Sequence, residues 1–512
     1  FAMQLNASGS ARRLAWPPFA VVLAVFTYFY HLDSLHAPKN GDEYPYEHIT
    51  RLTAASGHFL PLQSHLDDMR DTKPPMLFWQ GIVSTDWGRH WDLWHLRYPS
   101  VLYSLATALM VFLLAARLAR DWRTGLVGAL AYLAFFNTFR YGRPFLTNAP
   151  EVFWLFLPFF VLLYWKKTFE SRLAVPALLG AGIGIGLLYK SFALLLPVGL
   201  GLAWWHLHWR RYDVRAFVRQ DAAKLMLLAL CALAVFSLWF LLDPDPLRVW
   251  NEFVVKENVG KFDPQGGSYL GKLLWGTSSM WSLALAFVSN TGLLAFPTVM
   301  LGVHAWRRRH ELSDDEKLLW FWIITLYVVF CLPSQRSSRY LLAAMPAIAV
   351  LLALNWQRIG RKAFVLSLVS AGFVLAGMGY LAWRLQHELP ALVLYTPRYW
   401  VLVAVTAALL LVGIFVARTT RAVTNVALLL LLLDLSVFLQ PFDGVLGSYG
   451  AEAQNQVRGK VVRVPCNFRA KDEGHRFLLP GADVVGYRED KSLGVPELAA
   501  RYPIFAVRLP LH

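Results

Sequence analysis

The sequence predicts a mainly α-helical polytopic membrane protein with about thirteen transmembrane helices, and three observations carry that prediction. Of its 512 residues, 56 % are hydrophobic and only 16 % charged, a balance that one soluble core could not bury, so the bilayer is the natural solvent. Apolar windows near the length of about twenty residues that a spanning helix needs recur up to about residue 440. There are thirteen, centred near Val22, Ala106, Leu130, Phe156, Ala181, Leu196, Leu230, Phe287, Thr325, Ala347, Phe373, Ala404 and Leu430. The third observation is that Lys and Arg gather in alternate connectors between these windows.

That alternation sets the expected topology. One set of connectors holds Arg12 and Arg13; Arg117, Arg120 and Arg123; Lys166, Lys167 and Arg172; and Arg210, Arg211, Arg215, Arg219 and Lys224. It continues with Arg307, Arg308, Arg309 and Lys317, then Arg358, Arg361 and Lys362, then Arg418 and Arg421. The positive-inside rule makes this set cytoplasmic, with the amino terminus inside and everything after the last span outside. The net charge of +16 therefore reflects topology, and no basic face for nucleic acid emerges. Phe1-Ala2-Met3 reads as a cloning remnant, and with no cleavable signal pattern ahead of it the first span is expected to be a retained anchor. Cys231, Cys331 and Cys466 imply no disulfide framework.

Two domains are expected: residues 1–440, a transmembrane domain that includes an external first loop at 33–94, and residues 441–512, a small C-terminal extracytoplasmic α/β domain. Within the loop, Asn40-Gly41-Asp42-Glu43-Tyr44-Pro45 reads as a helix start running on to Gly57, with acids in the first turn and a proline where its missing N–H is harmless. Thr72-Lys73-Pro74-Pro75 starts a second helix, and Trp87, Trp91 and Trp94 supply the rings expected at a membrane surface. A further external stretch from Asp243 to Ser278 reads as a helix around Trp250–Phe262, then a mobile loop at Gly266-Gly267. The tail alternates at Lys460-Val461-Val462-Arg463-Val464.

Asp42 and Glu43 lead the candidates, because two acids at a helix start beside the bilayer can serve as general base, metal ligand or acceptor for an amino or hydroxyl group. The plainer alternative is a favourable helix-dipole cap. Helical spacing puts Glu43 with Glu47, and Asp42 with Tyr46, on shared faces. Lys73, stiffened by the prolines after it, suits an ammonium held against phosphate; the alternative is a lysine snorkelling to headgroups. Further cations stand at outer span ends, where orientation rules do not want them: Arg140, Arg143, Lys190, Lys256, Lys261, Arg336 and Arg339. Cations at several separate ends point to a shared anion, for which a lipid phosphate is the candidate at that depth. The polar interruption from Asn137 to Glu151, and a Gly-rich turn at Gly182, Gly184 and Gly186 leading to Tyr189-Lys190-Ser191, read as irregular backbone lining a cavity. His48, His58 and His65 leave room for a divalent metal, and no cofactor is otherwise implied. No Walker loop or dinucleotide fingerprint occurs.

Gly41-Asp42-Glu43-Tyr44, followed by Thr72-Lys73-Pro74-Pro75-Met76-Leu77-Phe78-Trp79, resembles the first-loop signature of the lipid-A aminoarabinose transferases and protein O-mannosyltransferases, membrane glycosyltransferases of the GT-C class. Phe253 to Phe262, with Glu257-Asn258 and Gly260-Lys261-Phe262, is similar to that family's later external helix, and Arg339-Tyr340 before an apolar span to another family segment. The resemblance implies a GT-C fold, a sugar donor carried on polyprenyl phosphate, Asp42 at the reaction centre with Glu43 beside it, and Lys73 on a phosphate. Many relatives have Thr-Asp where this chain has Thr147-Asn148, so a second catalytic aspartate is not implied; Glu151, one turn on, is a substitute or unrelated.

The expected function is transfer of a sugar from a polyprenyl-phosphate donor to an extracytoplasmic acceptor, lipid A foremost, at the periplasmic face of the bacterial inner membrane and among membrane lipids. Asp42 and Glu43 are the expected catalytic acids, and Lys73, Arg339, Lys190 and Arg336 the donor phosphate ligands. Tyr44, Tyr46, Asn148, Glu151, Glu257 and Tyr340 complete the expected pocket. The alternatives are a protein or polysaccharide glycosyltransferase using the same donor type, and a lipid-linked sugar flippase or transporter. A transporter would place its essential charges near the bilayer midplane rather than in an external loop.

Overall fold

The computed structural model describes residues 7–36, 41–66, 69–262, 268–467, 469–488 and 495–506. The readings of Phe1–Met3, Asn40 and Gly266-Gly267 fall outside these residues, as do the side chains of Arg12 and Arg13.

Each of the thirteen apolar windows falls on a helix. Among the described residues, eight helices are long and apolar enough to cross a membrane, including Leu93–Ala119, Arg361–Glu388 and Thr420–Asp443, and Pro17–Phe29, Asn148–Tyr164 and Ala174–Tyr189 are shorter apolar helices. Trp122–Ala134 is as short as Pro17–Phe29, and Asp314–Cys331 opens on three acids, closed by a capping box in which Ser313 and Glu316 exchange hydrogen bonds. Local sequence sets several other boundaries. Asp92 accepts the His95 N–H at the start of Leu93–Ala119, and Arg120 ends that helix in the left-handed region at φ +53°.

Met345–Asn355 lies at the centre, with nearly every side chain buried. Trp205, Trp239 and Trp322 are also fully enclosed. The glycine run expected to break into a turn does not: Ala174–Tyr189 is continuous through it. A Cβ on Gly180 would lie 2.3 Å from the Leu228 carbonyl oxygen, and one on Gly184 2.6 Å from Val235. The glycines thus let this helix approach Ala223–Leu242, the small-residue contact by which helices associate in lipid. Irregular backbone appears instead between Phe136–Gly142 and Asn148, within the polar interruption from Asn137 to Glu151.

The first loop forms Glu43–Ala55 and Met76–Ser84 at one end of the bundle. The first of these stops at Ala55, with Gly57 just beyond at φ +74°. From the stretch after Asp243 come Pro246–Val249, a widened π-helical segment Trp250–Asn258 and a 3₁₀ turn Val259–Phe262. The tail pairs strands Val461–Cys466 and Asp483–Arg488 in parallel, flanked by helices Ala451–Val457, Glu473–Leu478 and Val495–Arg501.

Candidate active site

Helix Glu43–Ala55 positions the two acids, and successive side chains on a helix point about 100° apart. Asp42, the residue before its first turn, makes no side-chain cap bond. Its Oδ2 instead accepts from Arg339 Nη1 at 2.6 Å, so the plain capping role does not describe it. Glu43 turns inward. It is 0 % exposed, as is Arg97, whose Nε and Nη2 donate to its two oxygens at 2.9 and 3.0 Å. The Phe145 N–H adds a bond at 2.7 Å, while Arg97 Nη1 reaches the carbonyls of Leu32 and Ser34. Both Glu43 oxygens are thus engaged in the core. The pair that sequence places side by side is split, and Glu43 lies outside the cavity that Asp42 lines.

That cavity, of about 910 Å³, collects Asp42, Tyr46, Lys73, Asn148, Lys190, Glu257, Lys261, Arg339 and Tyr340. Three carboxylates hold its four cations. Arg339 pairs with Asp42, Lys190 Nζ with Glu151 Oε2 at 2.6 Å, and Glu257 Oε1 takes both Lys73 Nζ at 2.6 Å and Lys261 Nζ at 2.8 Å. Burial alone would raise the Glu257 carboxyl, but the two ammonium groups outweigh it and hold the group below its ordinary range. Tyr46 is pushed up, first by burial and then by the charge of Asp42, and remains a neutral hydroxyl. Lys190 lies 5.1 Å from the Tyr340 ring centroid, and Tyr340 stacks on Phe330. Asn148, at the Thr147-Asn148 position, is buried at the first turn of its helix and faces the cavity.

The opposite wall is apolar. Leu196, Leu200, Leu233 and Leu332 line it and remain substantially exposed, so it runs out to the surface of the bundle. A second, mostly apolar cavity of about 810 Å³ lies beneath Met76, Trp79 and Val83, between Leu102 and Leu242. Tyr189, on its wall, donates to Gln80 at 2.8 Å.

Not every expected phosphate ligand or pocket residue arrives. Arg336 is nearly buried, and its guanidinium holds the carbonyls of Cys331 and Ser278 at 2.9 and 2.8 Å, so it ties backbone together away from the cavity. Arg143 likewise donates to the carbonyls of Tyr28 and Tyr30. Tyr44 packs against Gly474 of the tail, and Glu151 meets the cavity only through Lys190. Lys261 was legible as one of several outer cations and in the Gly260-Lys261-Phe262 motif, but not as a ligand of the cavity; its place beside Lys73 depends on the π and 3₁₀ turns that bring Glu257 round.

The histidine reading resolves differently. Among the described residues, His48, Asp472 and Glu473 bring potential ligand atoms within 4.8 Å of one another. Glu473, however, accepts from His48 at 2.8 Å, from Arg51 at 2.6 and 3.1 Å and from Arg476 at 3.0 Å, and the His65 N–H donates to the other His48 nitrogen at 3.1 Å. Guanidinium groups against the carboxylate make this an ion-paired brace from the tail to helix Glu43–Ala55; its donors do not suit a metal.

Residues 19–251 match the family described as dolichyl-phosphate-mannose-protein mannosyltransferase. The chain is 25 % identical over 417 residues to an undecaprenyl phosphate-α-4-amino-4-deoxy-L-arabinose arabinosyl transferase of Proteus mirabilis, covering 76 % of this chain and 70 % of that one. A homologous arabinosyl transferase of Pseudomonas fluorescens is 27 % identical over 360 residues, covering 68 % of this chain and 59 % of its own length. The chain thus spans between 59 and 70 % of these two relatives. Its structure is similar to that of ArnT from Cupriavidus metallidurans bound to undecaprenyl phosphate, with a TM-score of 0.65 at 17 % identity, covering 95 % of this chain and 88 % of that one. In fold, and in the sequence of its first loop and membrane region, the chain resembles the lipid-A aminoarabinose transferase and protein O-mannosyltransferase group of GT-C membrane glycosyltransferases.

Proposed function

We propose that this protein is a glycosyltransferase that moves a sugar from a polyprenyl-phosphate donor to an acceptor, lipid A foremost, at the outer face of the bacterial inner membrane. The observation that carries the reading is the cavity itself: one partly exposed aspartate and four cations on one side, and on the other an apolar wall open to the surface of the bundle. Such a cavity suits an amphiphile with an anionic head, and the curated relatives are named for a donor of that chemistry. The alternating basic connectors support a cytoplasmic amino terminus, with the cavity and the tail on the periplasmic side.

In the reaction, the bond between the anomeric carbon and the donor phosphate oxygen breaks, and its electron pair stays on that oxygen. An acceptor oxygen forms the new bond to the anomeric carbon. If it is a hydroxyl, its proton passes to Asp42; if it is a phosphate of lipid A, Asp42 orients the acceptor and little deprotonation is needed. Lys73, Lys261, Lys190 and Arg339 stand where charge grows on the departing phosphate. Fixed cations in a poorly hydrated pocket favour that transition state over the ground state. Arg339 holds the Asp42 carboxylate in place at the cavity through its hydrogen bond.

The test incubates the purified protein with a panel of polyprenyl-phosphate sugars and candidate acceptors and identifies products by mass spectrometry, with Asp42→Asn and Lys73→Ala alongside. A new glycosidic bond, absent with Asp42→Asn, is the expected result. Movement of intact lipid-linked sugar across vesicles with no bond formed would replace this reading by a transporter.

A further inference from the structure

Glu257 differs from the other two carboxylates of the cavity. Among the described residues, Arg339 donates to Asp42 and Lys190 to Glu151, while Lys73 and Lys261 converge on the same oxygen of Glu257. Two ammonium groups on one oxygen is the arrangement a phosphate oxygen would take. Glu151 is buried, whereas the Glu257 side chain is about a quarter exposed and itself lines the cavity.

The backbone around Glu257 is held while the side chain is not enclosed. Its neighbour Asn258 donates to the Phe253 carbonyl and accepts from Ser191 Oγ, each at 2.7 Å. The Lys261 carbonyl accepts the Ser334 N–H at 3.0 Å. Among the described residues, four cations face three carboxylates here, and a phosphate gains the two ammonium groups of Lys73 and Lys261 only when Glu257 gives them up.

We propose that Glu257 is an anionic stand-in for the donor phosphate: it holds Lys73 and Lys261 in place in the empty site, yields them to the phosphate during transfer, and reclaims them to release the product. This rests on the glycosyltransferase reading. The donor phosphodiester carries about one negative charge, and the polyprenyl phosphate left behind approaches about two near neutral pH. The lysines are therefore drawn from Glu257 most strongly just after the bond breaks. Without a competing carboxylate, the product would stay.

The experiment measures binding of undecaprenyl phosphate to the full chain in nanodiscs, for wild type, Glu257→Gln, Glu257→Asp and Glu257→Gln with Lys261→Met, beside turnover and product inhibition. Glu257→Gln should bind undecaprenyl phosphate about tenfold tighter, equivalent to about 1.4 kcal/mol, with donor KM and kcat falling together and product inhibition rising. Glu257→Asp, keeping the charge on a shorter arm, should fall between, and Lys261→Met should cancel the gain. An ion pair that merely orders the lysines gives the opposite sign: weaker or unchanged binding by Glu257→Gln overturns the proposal while leaving the transferase reading intact. If no form, wild type included, binds undecaprenyl phosphate, the transferase reading falls and takes this one with it.

Discussion

Two ion pairs formed by consecutive residues, one at the cavity and one in the core, show how this loop divides its work. Asp42 and Arg339 are each about one-third exposed and joined through a single hydrogen bond. Glu43 and Arg97 are wholly enclosed, paired through both oxygens and tied to three further backbone groups. The first pair can open to a substrate. The second cannot open without leaving a charge in the core, so it fixes the start of the helix from which the first pair is presented.

Substitutions that exchange these roles would break the comparison. Asp42→Asn should reduce transfer by about 10² to 10⁴-fold, the usual worth of a positioned base, with thermal unfolding in detergent little changed. Undiminished transfer by a folded variant would remove Asp42 from the chemistry. Glu43→Gln should do the reverse, lowering stability by about 3–5 kcal/mol because Arg97 is left buried without a counter-charge. A Glu43→Gln protein with an unaltered melting profile and no activity would show that the roles are not divided in this way.

The Glu473 brace sharpens the same comparison from the far side of the helix. Burial opposes ionisation of Glu473, but hydrogen bonds from His48 and Arg51 and the charges of Arg51 and Arg476 outweigh it and hold the carboxyl at about 2. A carboxyl lowered from an ordinary 4.5 to about 2 contributes about 3 kcal/mol above its unfolded pKa. That contribution is lost as pH falls from about 4.5 towards 2. Protection factors along Glu43–Ala55, taken relative to intrinsic exchange at each pH, should therefore fall on acidification through this window, and Glu473→Gln should show the lowered protection already at pH 7. No change in either would mean the tail does not hold the helix.

Smaller effects separate the cavity lysines from the structural arginines. Lys73→Met should raise the donor KM about tenfold, in line with loss of a charged hydrogen bond. Arg336→Lys should leave donor KM where it is and register only in thermal stability, since its guanidinium serves the Cys331 and Ser278 carbonyls. A large KM effect there would return Arg336 to the phosphate site.

What could be read from sequence follows from what the bilayer enforces. A spanning helix must be a long apolar run, so all thirteen windows fall on helices. Asp42, Lys73, Lys190 and Arg339 stood out because charge at a span end needs a reason, and these four do meet in one cavity. Which way a charge faces was not legible. Arg336 and Arg339, three residues apart, have the same local signature, yet one reaches backbone carbonyls and the other Asp42. Gly182, Gly184 and Gly186 read as a break because spacing cannot tell a flexible backbone from a close helix contact. The Glu473 brace joins residues 425 apart in sequence, a separation at which no local pattern operates.

That separation bears on the order in which the protein becomes competent. A nascent chain that has reached Asp443, the end of helix Thr420–Asp443, already contains Asp42, Lys73, Lys190, Glu257, Lys261 and Arg339. It does not yet contain Glu473, so Arg51 and His48 lack their shared acceptor until the tail has been synthesised. Maturation of the helix that presents Asp42 is thereby coupled to synthesis and folding of the tail.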